Sequence, residues 1–250
     1  MTYVKICGNR TPADVLAAAE AGADFVGMIF AESKRRVDVQ QASDMVRALG
    51  RPLAEHEFST PPPAQPHVRE EVGEWFRHGA RLLEAYLEVK RPLTVGVFAD
   101  QSFEEINEIV EEAGIDLVQL SGDEPWEDCL LVARQTIQVV HVSPLDSPSD
   151  PMALVEPGFA VALMLDSAHG PYRGGSGVTF DWEVARLVSA RMPMLLAGGL
   201  TPENVGEAVR TVRPWAVDVG SGTETDGRKD HDRVRAFVRA VRDADREATR

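Results

Sequence analysis

The chain has little of what a secreted, metal-binding or polyanion-binding protein needs. It holds only two cysteines in 250 residues, Cys7 and Cys129, which lie far apart and match no metal-binding spacing. Its 26 basic residues are outnumbered by 40 acidic ones, for a formal net charge of −14. Because nucleic acids and anionic membranes require a basic surface, we expect neither as a partner. A phosphorylated small molecule stays possible, since a few backbone N–H groups and one arginine can bind an anion locally.

Long apolar runs are also missing. No segment approaches the ~18 consecutive apolar residues of a membrane span. The first ten residues lack the positively charged start and apolar core of an export signal. Since no disulfide framework is visible either, we expect a cytoplasmic protein. Hydrophobic residues make up 44% of the chain and charged residues 26%, as in an ordinary globular protein.

Eight short apolar runs recur along the chain, each followed by a polar turn. They occupy residues 3–7, 24–30, 93–99, 116–120, 137–142, 160–166, 193–199 and 216–222. Between them lie helix signals: 11–22 opens with Thr and Pro and stops at Gly, 201–210 repeats that opening, and 102–114 begins at a capping Ser and stops at Gly. This alternation predicts a parallel sheet covered by helices.

Eight strand-helix units predict an α/β fold, a (β/α)8 TIM barrel that forms a single domain over residues 1–250. An open doubly wound sheet is the alternative. Such a sheet usually carries G-x-G-x-x-G after its first strand, whereas this chain reads CGNRTP there. The sequence therefore favours the barrel.

The alternation of predicted strands and helices is interrupted once. A second helix is predicted over residues 39–50, but the next strand begins only at Leu93. Residues 51–92 therefore form an insertion between helix 2 and strand 3, because connections in a minimal barrel run to about 2–6 residues. The insertion combines a stiff Pro-rich spacer at 59–66 with an amphipathic helix.

We expect the inserted helix on the bottom face of the barrel, packed as an extra helix on the outer ring. A contact with a partner or second copy through Trp75 and Phe76 is the alternative. Glycines such as Gly79 are expected to weaken this helix. Three histidines of this region have no metal-like spacing and are interpreted as surface residues: His56, His67 and His78.

Cys7 stands at the carboxyl end of strand 1, on the face where barrels place their active sites. Because side chains alternate along a strand, Lys5 and Cys7 should face the same side. A cation in that place would lower the pKa of the thiol and favour a thiolate base. Closure of the barrel puts strand 8 beside strand 1, which predicts a contact between Asp218 and Lys5. The alternative for Cys7 is a buried residue that only packs.

Asp166 ends the apolar run of strand 6. Apolar surroundings disfavour the ionised carboxylate, so this side chain could stay protonated and act as a general acid. Alternatively, it caps the loop that follows. A thiolate and an acid on strands 1 and 6 would face each other across the barrel mouth, an arrangement suited to an isomerase. The glycine-rich run 168–177 predicts a loop that can fold over a ligand, or a flexible connector.

The ends of the last two strands are rich in glycine. The run AGG precedes LTPENV and the run GSG precedes TETDG. Because barrels commonly bind phosphate at the ends of strands 7 and 8, both runs predict a phosphorylated small-molecule substrate.

Several motifs together resemble the phosphoribosylanthranilate isomerase family, barrel enzymes of tryptophan biosynthesis. They are VKICG, GMIFAESKRRV, DLVQLSGDE, LLAGGLTPENV and VRPWAVDVGSGTETDGRKD. The likeness runs from end to end except for the insertion. It implies an Amadori rearrangement of N-(5-phosphoribosyl)anthranilate to 1-(2-carboxyphenylamino)-1-deoxyribulose 5-phosphate, with no cofactor and no metal.

The resemblance also implies roles for single residues. Cys7 corresponds to the general base that takes the C2 proton, and Asp166 to the acid that protonates the ring oxygen. Arg35 corresponds to the arginine that holds the anthranilate carboxylate. The phosphate site carries over to the strand-end positions Gly198, Gly199, Gly220 and Ser221, with Asp218 beneath them. Three positions depart from the family pattern: Lys34 replaces a proline, Arg36 replaces an aromatic residue, and Ser121 stands where the family usually has histidine.

Two other functions remain open from the sequence. One is a different phosphosugar isomerase or epimerase on the same barrel, although most metal-dependent ones need histidines and acids converging on strand ends. The other is a non-catalytic barrel that acts as a binding partner, against which the presence of both Cys7 and Asp166 speaks. We expect a monomer or a homodimer.

Overall fold

The computed structural model describes residues 1–57, 71–142, 151–167 and 182–248. The Pro-rich spacer at 59–66 and the glycine-rich run at 168–177 lie outside the described residues. No described helix is both long enough and apolar enough to span a membrane.

Eight parallel strands close into one barrel in sequence order, with the last strand paired to the first. They are β1 (Tyr3–Ile6), β2 (Phe25–Ile29), β3 (Leu93–Phe98), β4 (Leu117–Leu120), β5 (Thr136–Val142), β6 (Ala162–Ser167), β7 (Leu195–Leu196) and β8 (Ala216–Val219). Each overlaps a predicted run, so the barrel is confirmed. Strand β7 is shorter than predicted because Gly198 and Gly199 adopt φ values of 88° and 65°, which an extended strand does not accept.

Seven helices surround the strands in the described parts of the chain. They are α1 (Pro12–Ala21), α2 (Val39–Leu49), α3 (Val72–Val89), α4 (Phe103–Ala113), α5 (Trp182–Ser189), α6 (Val205–Val212) and α7 (His231–Ala248). Two two-residue strands, β9 (Glu224–Thr225) and β10 (Arg228–Lys229), form a hairpin before α7.

Most predicted helix ends are confirmed. The side chain of Thr11 caps α1, and Gly22 ends that helix in the left-handed conformation. The opening predicted for 201–210 is wrong, because α6 begins only at Val205. The Asn204 side chain accepts a hydrogen bond from Thr201 N (2.8 Å) and donates one to Gly199 O (2.9 Å), which holds the preceding residues in a turn.

The inner face of the barrel changes from apolar to polar along the strands. Near the amino ends it is filled by side chains such as Phe25, Leu93 and Leu117. Further along the strands, the same face carries polar residues. Those at or near the carboxyl ends are Cys7, Ser121, His141 and Asp166. The fold therefore gathers its chemically versatile side chains at one mouth.

Helix α3 closes the other end of the barrel. Leu83 and Leu87 pack in the same buried cluster as the first inward-facing residues of the strands. The indole of Trp215, just before β8, donates a hydrogen bond to Glu84 of α3 (3.1 Å). These contacts place Leu83 and Leu87 of α3 at the end of the barrel opposite the mouth. The physical reason is that the apolar inner face at this end needs a cover.

Glycine at position 79 serves the packing of α3. A Cβ there would lie 1.8 Å from the carbonyl oxygen of Val161, so only glycine allows this close approach. Trp75 and Phe76 are 4% and 1% exposed, and the Trp75 indole donates to Ala160 O (2.6 Å). The alternative prediction, a partner contact through Trp75 and Phe76, is therefore wrong, because the folded chain buries both side chains.

The expectation of surface histidines in this region is only partly met. His78 is wrong as a surface residue, because it is buried beside Trp75 with ring centroids 6.4 Å apart. Burial, and then the nearby Arg81, lower its pKa. His56 is half-buried. His67 lies outside the described residues.

Candidate active site

Cys7 extends the first strand into the barrel mouth. Its N–H donates to Val219 O on β8 (2.8 Å), and Gly8, with φ of 77°, then turns the chain away. The Cys7 side chain is 7% exposed. Lys5 is paired in register with Asp218, and Lys5 Nζ lies 2.8 Å from Asp218 Oδ1. The contact predicted from strand alternation and barrel closure is confirmed.

The electrostatics of Cys7 differ from the sequence expectation. Burial raises the pKa of the Cys7 thiol above its ordinary value, although Lys5 and the nearby Lys229 oppose that rise. The prediction that Lys5 lowers the pKa of the Cys7 thiol below its ordinary value is therefore wrong for the free protein. The charge of Lys5 is paired mainly with Asp218. Burial alone would lower the pKa of Lys5, but the Asp218 carboxylate and Cys7 together outweigh burial and raise this pKa above its usual value.

Gly27 makes room for this pair, and sequence reasoning missed it. A Cβ at position 27 would lie 2.7 Å from Cys7 Sγ and 3.2 Å from Lys5 Nζ. Both side chains therefore do share the inner face of the barrel, as strand alternation predicted. A glycine inside a predicted strand is the signal that marks such a close approach.

Asp166 lies on the inner face of β6, since Ala162 and Met164 of the same strand face the barrel interior. Strands β7 and β8 separate β6 from β1. The Asp166 side chain is half-buried, and its Cα pairs in register with that of His141 on β5. Cys7 and Asp166 therefore face one mouth from different sides.

Arg35 follows β2 and lies over the turn at Gly8, where a Cβ would be 2.8 Å from Arg35 Cδ. Its guanidinium is held by Glu224 of β9, through Nε to Oε1 (2.6 Å) and Nη2 to Oε2 (3.1 Å). The adjacent Arg36 is exposed. Of the two arginines, Arg35 is thus the one fixed beside Cys7.

A buried lysine completes this network. Lys229 of β10 donates to Cys7 O (2.7 Å), Gly220 O (3.0 Å) and Thr223 Oγ1 (3.1 Å), and its Nζ lies 3.7 Å from Glu224. Burial lowers the pKa of Lys229, and Glu224 opposes this. Glu224 and Lys229 were missed from the sequence. Both belong to the motif TETDGRKD, but no local pattern reveals their contacts with residues near the amino terminus.

The glycine loops after β7 and β8 lie together, as their sequences suggested. A Cβ at Gly222 would fall 1.9 Å from Leu200 O, so the second loop packs directly on the first. A Cβ at Gly220 would meet nothing within 4 Å, so this position borders open space. Asp218 lies on the inner face two residues before Gly220, but its carboxylate is engaged by Lys5.

Within the described ranges, no three His, Cys, Asp or Glu side chains are grouped closely enough to hold a metal ion.

Comparison with known proteins identifies the family. A model for N-(5'-phosphoribosyl)anthranilate (PRA) isomerase matches residues 37–240. The chain belongs to the PRA isomerase family. It is 36% identical to the N-(5'-phosphoribosyl)anthranilate isomerase of Dehalococcoides mccartyi, and the match covers 98% of each chain.

Solved structures of PRA isomerases share the fold. The enzyme of Thermus thermophilus superimposes with a TM-score of 0.71 at 30% identity, covering 97% of this chain and 99% of that one. A PRA isomerase in complex with reduced 1-(o-carboxyphenylamino)-1-deoxyribulose 5-phosphate superimposes with a TM-score of 0.67 at 29% identity, covering 97% of this chain and 100% of that one.

Proposed function

We propose that this chain converts N-(5-phosphoribosyl)anthranilate to 1-(2-carboxyphenylamino)-1-deoxyribulose 5-phosphate in tryptophan biosynthesis. The observation that carries the proposal is the pair Cys7 and Asp166, which face one barrel mouth from β1 and β6. An aldose-to-ketose rearrangement needs a proton removed from C2 and another delivered to the ring oxygen. A base and an acid on separate strands can do both around a single sugar.

Asp166 opens the sugar ring in this account. Its carboxyl gives a proton to the ring oxygen, the C1–O bond breaks, and a protonated imine forms between C1 and the anthranilate nitrogen, which keeps its hydrogen. The place of Asp166 at the carboxyl end of an apolar strand, on the inner face of the barrel, supports this role.

As a thiolate, Cys7 takes the C2 proton of the protonated imine. The product is a neutral enolamine, which becomes the ketone when C1 gains a proton and the C2 hydroxyl loses one. Lys5 near the thiol and Lys229 at the Cys7 carbonyl supply positive charge near the thiolate and so oppose the effect of burial on the pKa of Cys7. We therefore assign both lysines to the support of Cys7.

Arg35 and the glycine loops hold the two charged ends of the substrate. Arg35 is fixed beside Cys7 by Glu224 and can offer its remaining N–H groups to the anthranilate carboxylate. Gly198, Gly199, Gly220 and Ser221 lie on two packed loops at the same mouth and would bind the phosphate. Asp218 acts beneath them by neutralising Lys5.

The test of the proposal is direct turnover. N-(5-phosphoribosyl)anthranilate is generated in situ from anthranilate and phosphoribosyl pyrophosphate, and the loss of its fluorescence is followed. We expect the purified chain to consume it without an added metal or cofactor, and a chelator to leave the rate unchanged. No turnover, under conditions in which a known PRA isomerase is active, would refute the proposed function.

We further propose that the chain works in the cytoplasm as a monomer or homodimer. Both of its cysteines are free thiols in the structure, which suits a reducing compartment. Light scattering at several protein concentrations measures the assembly, and fractionation of the source cells measures the location.

A further inference from the structure

His141 presents a ring nitrogen that is hydrogen-bonded to no atom of the described residues. The residue lies near the carboxyl end of β5, on the inner face of the barrel. Its Nε2 is 2.9 Å from the carbonyl oxygen of Ser121 on the neighbouring side. Its Nδ1 is buried and has no hydrogen-bond partner within residues 1–57, 71–142, 151–167 and 182–248. Buried polar atoms are almost always paired, so an unpaired one at a barrel mouth calls for an explanation.

The contact with Ser121 fixes which nitrogen carries the proton. A carbonyl oxygen can only accept a hydrogen bond, so Nε2 must be the donor. In the neutral ring Nδ1 is then an acceptor with a lone pair. The missing partner of Nδ1 is therefore a hydrogen-bond donor, such as a hydroxyl group.

The position of His141 indicates where that donor belongs. Its Cα pairs in register with Asp166, the residue assigned to the sugar ring oxygen. A second buried acceptor without a partner, Gln119 Oε1, lies on the same inner face one strand away. The side chain of Gln119 donates from Nε2 to Ser121 Oγ (2.9 Å). The inner face thus holds two buried acceptors without a partner among the described residues, and His141 Nδ1 belongs to the residue in register with the acid.

We propose that His141 is a substrate-binding residue whose Nδ1 accepts a hydrogen bond from a hydroxyl group of the substrate's sugar. The inference rests on the proposed function, because it takes the sugar beside Asp166 as the ligand. The hydrogen bond from His141 Nε2 to Ser121 O orients the ring. Nδ1 then accepts the hydrogen bond from the sugar hydroxyl.

Two amide variants separate the two nitrogens. In His141→Asn, the amide oxygen can stand near the position of Nδ1, so the acceptor is kept and the contact with Ser121 is lost. In His141→Gln, the amide nitrogen can stand near the position of Nε2, so the contact is kept and the acceptor is lost. The affinity for reduced 1-(o-carboxyphenylamino)-1-deoxyribulose 5-phosphate is measured by calorimetry, together with KM and kcat.

We expect His141→Gln to bind the reduced product about tenfold more weakly than the wild type, the usual effect of leaving one buried hydrogen bond unmade. We expect KM to rise by a similar factor with little change in kcat. His141→Asn should stay within about threefold of the wild type. If the ring only supports Ser121, the order reverses, and a Gln variant that binds as tightly as the Asn variant overturns the inference.

A measurement on the unmodified chain covers the case in which a variant fails to fold. In protein labelled with 15N at histidine, the unprotonated Nδ1 of His141 should shift upfield when the reduced product saturates the site. An unchanged Nδ1 resonance in a saturated sample overturns the inference. The proposed function fails separately, if the wild type neither binds the reduced product nor turns over substrate.

Discussion

Glu224 holds Arg35 with two hydrogen bonds, from Nε (2.6 Å) and from Nη2 (3.1 Å), although the two residues are 189 positions apart. Glu224 is 8% exposed at its side chain, whereas the Arg35 side chain is 22% exposed. The carboxylate therefore anchors the guanidinium and leaves part of the Arg35 side chain exposed. This arrangement supports the proposed role of Arg35 as a fixed anion-binding group next to the turn that follows Cys7.

Replacement of Glu224 by glutamine tests the anchor. A neutral amide cannot accept both charge-assisted hydrogen bonds, so Arg35 loses its fixed orientation. We expect KM for N-(5-phosphoribosyl)anthranilate to rise about tenfold, from the loss of roughly 1.5 kcal/mol. The matched control is Glu111→Gln, which breaks an exposed pair with Arg134 far from the mouth and should leave KM unchanged. Equal KM values in the two variants would contradict the anchor.

Replacement of Asp218 by asparagine tests the buried pair. Lys5 is fully buried, and without Asp218 its charge has no carboxylate partner. We expect the free energy of unfolding to fall by about 3 kcal/mol, the lower end of what breaking a buried pair costs. Asp44→Asn is the control, because its pair with Arg47 is exposed and is worth at most ~1 kcal/mol. Denaturant unfolding measures both, and losses of similar size would refute a special role for the buried pair.

Two glycine-to-alanine variants test the packing of α3. The methyl group of Gly79→Ala would meet the Val161 carbonyl at 1.8 Å, so the helix must move away from the barrel. We expect a loss of about 2 kcal/mol in unfolding free energy. In Gly206→Ala, within α6, the nearest heavy atom is 3.5 Å away, and alanine should be neutral or stabilise the chain by up to about 1 kcal/mol. An unchanged free energy of unfolding in Gly79→Ala would mean that α3 does not pack closely against the Val161 carbonyl.

The raised pKa of Cys7 predicts the pH dependence of the reaction. Only the thiolate accepts the C2 proton, and burial raises the pKa of the thiol above its ordinary value of 9.0. The thiolate fraction is therefore small near neutral pH and grows with pH. We expect kcat/KM, which reports the free enzyme, to rise through neutral pH with a midpoint above about pH 9.

The second cysteine provides the control for that profile. Burial raises the pKa of Cys129 to about 12, and its thiol donates to Gln138 at 3.4 Å, away from the mouth. Cys129→Ser should leave the rising limb where it is. A midpoint at or below pH 8 in the wild type would show that Lys5 and Lys229 outweigh burial.

The sequence predicted the barrel because its signals are local. Apolar runs, a capping Thr11 and a terminating Gly22 each act within a few residues. The contact between Lys5 and Asp218 was also predictable, since it follows from two rules: alternation along a strand and closure of strand 8 on strand 1.

The remaining features depend on contacts between distant segments. The net pKa of Cys7 is set by how deeply the folded barrel buries it, which no sequence pattern states. The contacts of Lys229 with Cys7 and of Glu224 with Arg35 join the two ends of the chain. The place of α3 beneath the barrel likewise follows from the fit of Gly79 against Val161.

Removal of the C2 proton by Cys7 is the central step of the proposed reaction. N-(5-phosphoribosyl)anthranilate carrying deuterium at C2 measures this step directly, through the loss of label to water and the isotope effect on turnover. We expect the wild type to release the label and Cys7→Ala to release it at least about a hundredfold more slowly, the lower end of what a general base contributes. Wild-type label release by Cys7→Ala would contradict the account.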